Sequence, residues 1–367
     1  MVGMKKLFTV WLSLLACTVW GAGAGQVQEV KDVPQHEVVG YTFRDKQSAH
    51  YIETPAQARN VILMIGDGMS SEHVWAAWLC NGGKLNLECL PHTAFSRTPS
   101  ANRTITDSAA GGTAIACGEK TNNGMLGQRP SGRVLYSLAS RLMQPPYNKD
   151  AGLVVTKAIT DATPAAFYAH VPSRKQTEKI AAQLLEMPFL VVAGGGSAAF
   201  TPEQAALLAA EPRRFVSLSA KGDCPYAPER GDELPQNVAK ALSVLEQAPN
   251  GFFLMIEGSE IDMASHATDL NLAVRETLDF DKTLGVVLQW MQRHPDTLLV
   301  VTADHQTGGL SILDGCVKKG WVKGSFSTSN HTGVAVPIYA AGPGAEAFSG
   351  IMENTDILTN ILRAPLK

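Results

Sequence analysis

The amino-acid sequence predicts an α/β fold, a three-layer sandwich with a largely parallel central sheet and helices on both faces. Three observations predict it. Short runs that are apolar at every position recur along the chain, as expected of strands buried on both faces. Longer stretches with helical periodicity separate them, the alternation of layered α/β proteins. Three of the runs end in acidic residues, at the strand ends where open α/β sheets bind ligands.

Taken in chain order, the apolar runs are residues 61–65, 153–155, 189–193, 252–256, 298–301 and 336–340. Helices are expected at 176–186, 203–210, 236–247 and 270–292. The first residues read as an export signal. Lys5 and Lys6 precede an apolar stretch at 7–19, and Ala22-Gly23-Ala24 offers a small-residue cleavage pattern. The stretch is shorter than the roughly 20 residues of a membrane-spanning helix. A lipid anchor at Cys17 is the weaker alternative, because Thr18-Val19-Trp20 continues the apolar run. Residues 1–24 are thus expected to be a signal peptide and 25–59, which show no clear period, a lead-in. Residues 60–367 are expected to form the functional domain. The product is expected to be exported, periplasmic or secreted, with no transmembrane anchor.

The 367 residues are 45% hydrophobic and 18% charged, ordinary globular values. The net charge of -3 and the absence of a basic run argue against a specific nucleic-acid binder. Six cysteines are present, and one of them, Cys17, lies in the signal. The remaining cysteines are odd in number, so at least one is expected to be free. Cys80 with Cys89, and Cys224 with Cys316, are candidate pairs in an oxidising compartment.

Carboxylates brought together repel one another unless cations hold them. Asp67 follows the first apolar run, Glu257 ends the fourth, and Asp304-His305 follows the fifth. Asp262 and His266 stand four apart, on one face if the segment is helical. Carboxylate with imidazole is a good zinc pair. His331 lies in a loop just ahead of the last apolar run. Ser108 precedes small residues. At the start of a helix it would sit at the positive end of the dipole, though on that stretch alone a plain N-cap is the better reading. Arg174, read as following a strand, has the geometry to clamp a phosphate in bidentate fashion. Gly194-Gly195-Gly196 lacks the spacing of a phosphate-binding loop and reads as a tight turn.

Together these segments resemble the alkaline phosphatase family. The matching stretches are 60–69 (NVILMIGDGM), 105–118 (ITDSAAGGTAIACG), 159–175 (ITDATPAAFYAHVPSRK), 252–266 (FFLMIEGSEIDMASH), 300–305 (VVTADH) and 331–333 (HTG). The resemblance implies metal-dependent hydrolysis of phosphate monoesters through a phosphoserine, with two Zn2+ and one Mg2+. It implies Asp262, His266 and His331 as ligands of the first zinc. It implies Asp67, Asp304 and His305 for the second. Asp67 would bridge to magnesium, bound also by Thr163 and Glu257 and reached through water by Asp161. Ser108 would be the nucleophile and Arg174 the phosphate clamp. Small phosphomonoesters and inorganic phosphate are the implied partners. Met263 stands where some bacterial relatives carry a lysine that contacts phosphate through water, which implies looser product binding here. The stretch between His305 and His331 leaves little room for the insert that crowns the site and helps form the family's homodimer, so dimerisation is left open. A phosphodiesterase of the same superfamily is disfavoured by Arg174. A binding protein without turnover would be expected to have lost Ser108 or a ligand.

Overall fold

The structure is a computed structural model and describes residues 23–367; the expected signal therefore lies almost wholly outside the described residues. The chain runs β1 (Val27–Val30), β2 (Asn60–Gly66), α1 (Ser71–Cys80), β3 (His92–Arg97), α2 (Ser108–Cys117), α3 (Leu138–Leu142), β4 (Asp150–Ala158), α4 (Ala162–Ala165) and α5 (Thr177–Leu185). It continues through β5 (Val191–Gly195), α6 (Pro202–Leu208), β6 (Phe215–Leu218), α7 (Ala227–Arg230), α8 (Glu233–Leu245), β7 (Phe252–Gly258), α9 (Glu260–His266) and α10 (Leu270–Met291). It ends with β8 (Thr297–Thr302), β9 (Gln306–Thr307), β10 (Leu310–Cys316), β11 (Trp321–Phe326), β12 (His331–Thr332), β13 (Val336–Ala341), β14 (Gly350–Glu353) and α11 (Asp356–Arg363).

Every apolar run and helical stretch read from the sequence lies on one of these elements, with ends shifted by a few residues. Nine strands form the central sheet in the order β14-β3-β13-β8-β2-β7-β4-β5-β6. From β8 to β6 every neighbour is parallel, and β13 runs antiparallel to both β8 and β3. Strands β2, β4, β7 and β8 are buried at nearly every position, because helices cover both faces. Ile62 and Met64 point into the core shared with α1, α8 and α10. Val61, Leu63 and Ile65 point into the opposite core with α2, α3, α5 and α11. That alternation is the period of two that a pleated strand imposes.

Two smaller sheets flank the site. β1, from the expected lead-in, pairs antiparallel with β11, which pairs with β10. β9 pairs with β12, setting His331 opposite Thr307. The 306–330 stretch is thus occupied by short strands. Gly194 and Gly195 belong to β5, and a Cβ at Gly195 would lie 2.2 Å from the Gly222 carbonyl oxygen, so the glycine run serves close packing as well as a turn. The expected cysteine pairs are not formed: Cys80, Cys89, Cys117, Cys224 and Cys316 are all free. Cys80 is packed in the core at the end of α1, and the Cys224 sulfur lies 3.6 Å from the Ser219 hydroxyl. No helix among the described residues is long and apolar enough to cross a membrane.

The ring of Phe253 on β7 is fully buried and stacks on Phe167 with centroids 5.8 Å apart. Phe253→Ala is expected to destabilise the protein by about 3–5 kcal/mol through lost burial and the cavity left behind. Urea unfolding measures this, and a loss under about 1 kcal/mol would contradict the packing described.

Candidate metal centre

Four adjacent parallel strands, β8, β2, β7 and β4, point their carboxyl ends at one edge of the sheet. The register sets Ile65 opposite both Thr302 and Glu257, so the residues that follow arrive at one level. Asp67 leaves β2, Glu257 is the next-to-last residue of β7, Asp304-His305 follows β8, and Asp161 follows β4. Asp262 and His266 project from α9, which is helical as the spacing required.

The histidine rings show how the site is wired. His266 Nδ1 lies 2.7 Å from the Ser329 carbonyl oxygen, and His331 Nδ1 lies 2.8 Å from that of Thr106. A carbonyl only accepts, so each Nδ1 carries the hydrogen and each neutral ring keeps its lone pair on Nε2. Those two Nε2 atoms are 3.0 Å apart, and lie 3.3 and 3.5 Å from Asp262 Oδ1. Three Lewis bases thus converge on one point. The second group is built the same way. The Thr307 hydroxyl donates to Asp262 Oδ1, leaving its oxygen to accept from His305 Nδ1 at 3.3 Å. His305 Nε2 then faces Asp67 Oδ1 at 3.4 Å, Asp304 Oδ2 at 3.2 Å and Ser108 Oγ at 3.2 Å. Asp262, His266 and His331 form one group that could hold a metal ion, and Asp67, Asp304 and His305 another.

Several buried oxygens lack a hydrogen-bond donor: both of Asp67, both of Glu257, Asp304 Oδ2 and Thr163 Oγ1. Buried polar atoms without partners are costly in a folded protein. Here they are hard oxygen donors directed inward, which fits cations and not a packed core. Burial, with the neighbouring carboxylates, pushes Asp67 well above the ordinary carboxylate range, Glu257 up to about 8 and Asp304 up to about 6. Burial also works to raise Asp262, but in the metal-free protein His266 and His331, when they also take a proton on Nε2, hydrogen-bond to it and hold it well below.

Ser108 is the first residue of α2, which is buried throughout. The N-cap is Asp107, whose Oδ1 accepts from Ala110 N at 3.0 Å, so the serine is not the cap. Gly111 and Gly112 let this helix lie against the site: Cβ atoms there would be 3.0 Å from the Asp304 carbonyl oxygen and 3.4 Å from Thr163 Cα. Arg174 does not follow a strand, since Val171 makes only an isolated bridge with Leu126. Its guanidinium lies 3.3 Å from Asp161 and 3.6 Å from Asp107, and its backbone N–H donates to Gly124. Every site residue read from the sequence therefore lies at this edge. Sequence reasoning missed Asp107, Thr307 and Lys157. Met263 is half-buried on α9, and the ammonium near Asp161 comes from Lys157 on β4. Asp107 was legible in principle, as a cap former directly before a helix.

Fold and site define the class: an α/β protein with a serine at a helix start beside two groups that could hold metal ions. Comparison with known proteins makes this specific. A family model described as alkaline phosphatase matches residues 58–207 and 197–322. Alkaline phosphatase 4 of Bacillus subtilis (strain 168) is 29% identical over 408 positions, covering 82% of this chain and 87% of that protein. The repressible alkaline phosphatase of Saccharomyces cerevisiae is 37% identical over 69% of this chain and 55% of its own length. The solved alkaline phosphatase from the Antarctic bacterium TAB5 superposes with a TM-score of 0.78 at 31% identity, over 84% of this chain and 98% of that one. The chain belongs to the alkaline phosphatase family. It is an enzyme that hydrolyses phosphate monoesters with the help of metal ions.

The raised carboxylates give a pH signature to the metal-free protein. In the folded state Asp304 and Glu257 titrate near 6 and 8, above the roughly 3.9 and 4.3 of unfolded chains. Their contribution is therefore present at low pH and is lost as pH rises through the folded values. The thermal midpoint of the chelated protein is expected to fall between about pH 4 and pH 8, and metal addition should reverse the fall, because bound cations favour the ionised forms. Scanning calorimetry at stepped pH tests this. A chelated protein whose midpoint rises over that interval would refute it.

Proposed function

We propose that this enzyme is a phosphomonoesterase with two Zn2+ and one Mg2+ whose nucleophile is Ser108. Asp262, His266 and His331 hold one zinc, and Asp67, Asp304 and His305 the other. Asp67, Thr163 and Glu257 hold magnesium, with Asp161 reaching it through water. The observation that carries the reading is the convergence of three lone pairs at Asp262, His266 and His331, beside a second group that faces the Ser108 hydroxyl. Variants of the TAB5 enzyme with Mg bound in an M3 site support a third cation position.

Bound there, the cations supply Lewis-acid stabilisation of the attacking and leaving oxygens. The chain's own residues do the rest. Ser108 Oγ gives up its proton to solvent water and attacks phosphorus in line with the ester bond. That P–O bond breaks, the leaving alkoxide takes a proton from solvent and departs as the alcohol, and a phosphoserine remains. Water then attacks phosphorus, the bond to Oγ breaks, and inorganic phosphate leaves with Ser108 restored. Arg174, held by Asp161 and Asp107, neutralises charge on the non-bridging oxygens. The first turn of α2 adds its dipole and free N–H groups at the same place. Aliphatic and aromatic monoesters should both react, because departure of the alcohol requires no side-chain acid.

Lys5, Lys6 and the apolar stretch that follows support export, so we assign 1–24 as a signal peptide, 25–59 as a lead-in and 60–367 as the catalytic domain of a periplasmic or secreted enzyme. A homodimer, if formed, would use surfaces other than an insert at 306–330, which holds short strands and one turn of 3-10 helix.

The test uses p-nitrophenyl phosphate and bis-p-nitrophenyl phosphate in parallel, before and after chelation and restoration of zinc and magnesium. Monoester turnover is expected to dominate, to vanish on chelation and to return with the metals. Ser108→Ala should lower kcat by on the order of 10³-fold or more, and Arg174→Ala kcat/KM by about 10²–10³-fold. Preference for the diester, or full activity in Ser108→Ala, would overturn the reading.

A further inference from the structure

One buried charge beside this centre has no part in the steps above. Lys157 lies near the end of β4 with its side chain only 10% exposed, and its Nζ is 3.4 Å from Asp161 Oδ2. Burial opposes its charge, yet Asp161, Asp67, Asp262 and Asp223 outweigh burial and hold it protonated far above the ordinary lysine range. The relation is mutual: the same ammonium eases the charge on Asp67 and Glu257. Those two residues carry the donor-less buried oxygens, with Thr163 beside them. A fixed ammonium and the proposed third cation position therefore share one set of carboxylates. Asp161 is also engaged from its other side, where Arg174 Nη2 lies 3.3 Å from both carboxylate oxygens.

We propose that Lys157 is a positioning residue and a built-in counter-charge at the third cation position, fixing Asp161 toward Arg174 and weakening divalent binding there. The inference rests on the assignment of Asp67, Thr163 and Glu257 to that cation. Its physical basis is Coulombic. An ammonium 3.4 Å from Asp161 that also acts coulombically on Asp67 and Glu257 lowers their net negative potential, and in a buried setting the effect is only weakly screened. It also draws Asp161 away from the ion, so the carboxylate serves the phosphate clamp whether or not the position is filled. The third cation is then held loosely and exchanges with solution.

The experiment is a titration of Mg2+ alone into the full mature protein, stripped by chelator and reloaded with zinc, followed by calorimetry with no substrate present. Lys157→Met and Lys157→Gln remove the charge, Lys157→Arg keeps it, and Glu257→Gln disables the position. Both neutral variants are expected to bind Mg2+ about tenfold or more tightly than the wild type, and Lys157→Arg to match the wild type. Unchanged or weaker Mg2+ binding in the neutral variants, or an arginine variant that behaves like them, would overturn the proposal. So would failure of both neutral variants to fold while the arginine variant folds, which would make Lys157 a structural support. Wild type binding Mg2+ no better than Glu257→Gln would refute the third position itself, a result distinct from failure of the Lys157 role.

Discussion

Carboxylate crowding at one sheet edge is the constraint on which the rest of this molecule turns. Strands β8, β2, β7 and β4 are neighbours and parallel, so their carboxyl ends deliver Asp304, Asp67, Glu257 and Asp161 to the same place. Parallel strands buried on both faces cannot be rearranged locally, because a one-residue slip would turn core side chains toward the wrong layer. The acidic groups are thus held close by the packing of Ile62, Leu63, Leu254 and Val300, which are fully buried. Their mutual repulsion and burial raise Glu257 and Asp304 far above ordinary carboxylates. Hydrophobic packing holds the repulsion in place, and cations relieve it. Folding and metal binding are linked equilibria in such a protein.

The loops around that edge are better understood as wiring than as connections. Carbonyl oxygens of Ser329 and Thr106 fix the tautomers of His266 and His331. Thr307 does the same for His305 and, with its hydrogen, ties Asp262 to the second group. Outer contacts of this kind orient metal ligands and are often as consequential as the ligands themselves. Close approach is needed for it. Gly68 has φ +72°, and a Cβ there would stand 2.7 Å from Thr307 Oγ1, so glycine at this position lets the β9 segment reach the site.

Much of this was legible in the sequence, for physical reasons that can be named. The six apolar runs were readable because a strand buried on both faces must be apolar throughout. The proposed ligands were readable as candidates because strand ends, an i, i+4 pair and a histidine beside a carboxylate are local patterns. β3, β6, β10, β11 and β14 were not read. β3 alternates buried and exposed positions through Thr93, Ser96 and Arg97, and β6 is half-buried throughout. Such strands are defined by partners distant in sequence, as β14 is by β3. Lys157 was illegible for a related reason, since its importance lies in carboxylates gathered from four separate segments. The cysteine pairs failed because spacing says nothing about where a helix end such as Cys80 will be packed.

The placement of Ser108 shows how a one-residue difference decides chemistry. Serine is favoured at a helix N-cap, where its hydroxyl oxygen accepts an N–H from the first turn. A serine used in that way has its oxygen turned toward the helix and engaged there. In this chain Asp107 takes the capping role: Oδ1 accepts from Ala110 N, and Oδ2 accepts from Gly124 N at 2.9 Å. Ser108 is left as the first helical residue, with its hydroxyl directed at His305 Nε2. It keeps the electrostatic benefit of the helix start without the competing hydrogen bond. The same Asp107 lies 3.6 Å from the Arg174 guanidinium, so one carboxylate fixes the start of the proposed nucleophile's helix and helps hold the proposed clamp. Asp107 thereby links the start of the Ser108 helix to Arg174, with Asp161 holding the guanidinium from its other side, and a cap made by serine itself could not have made that link.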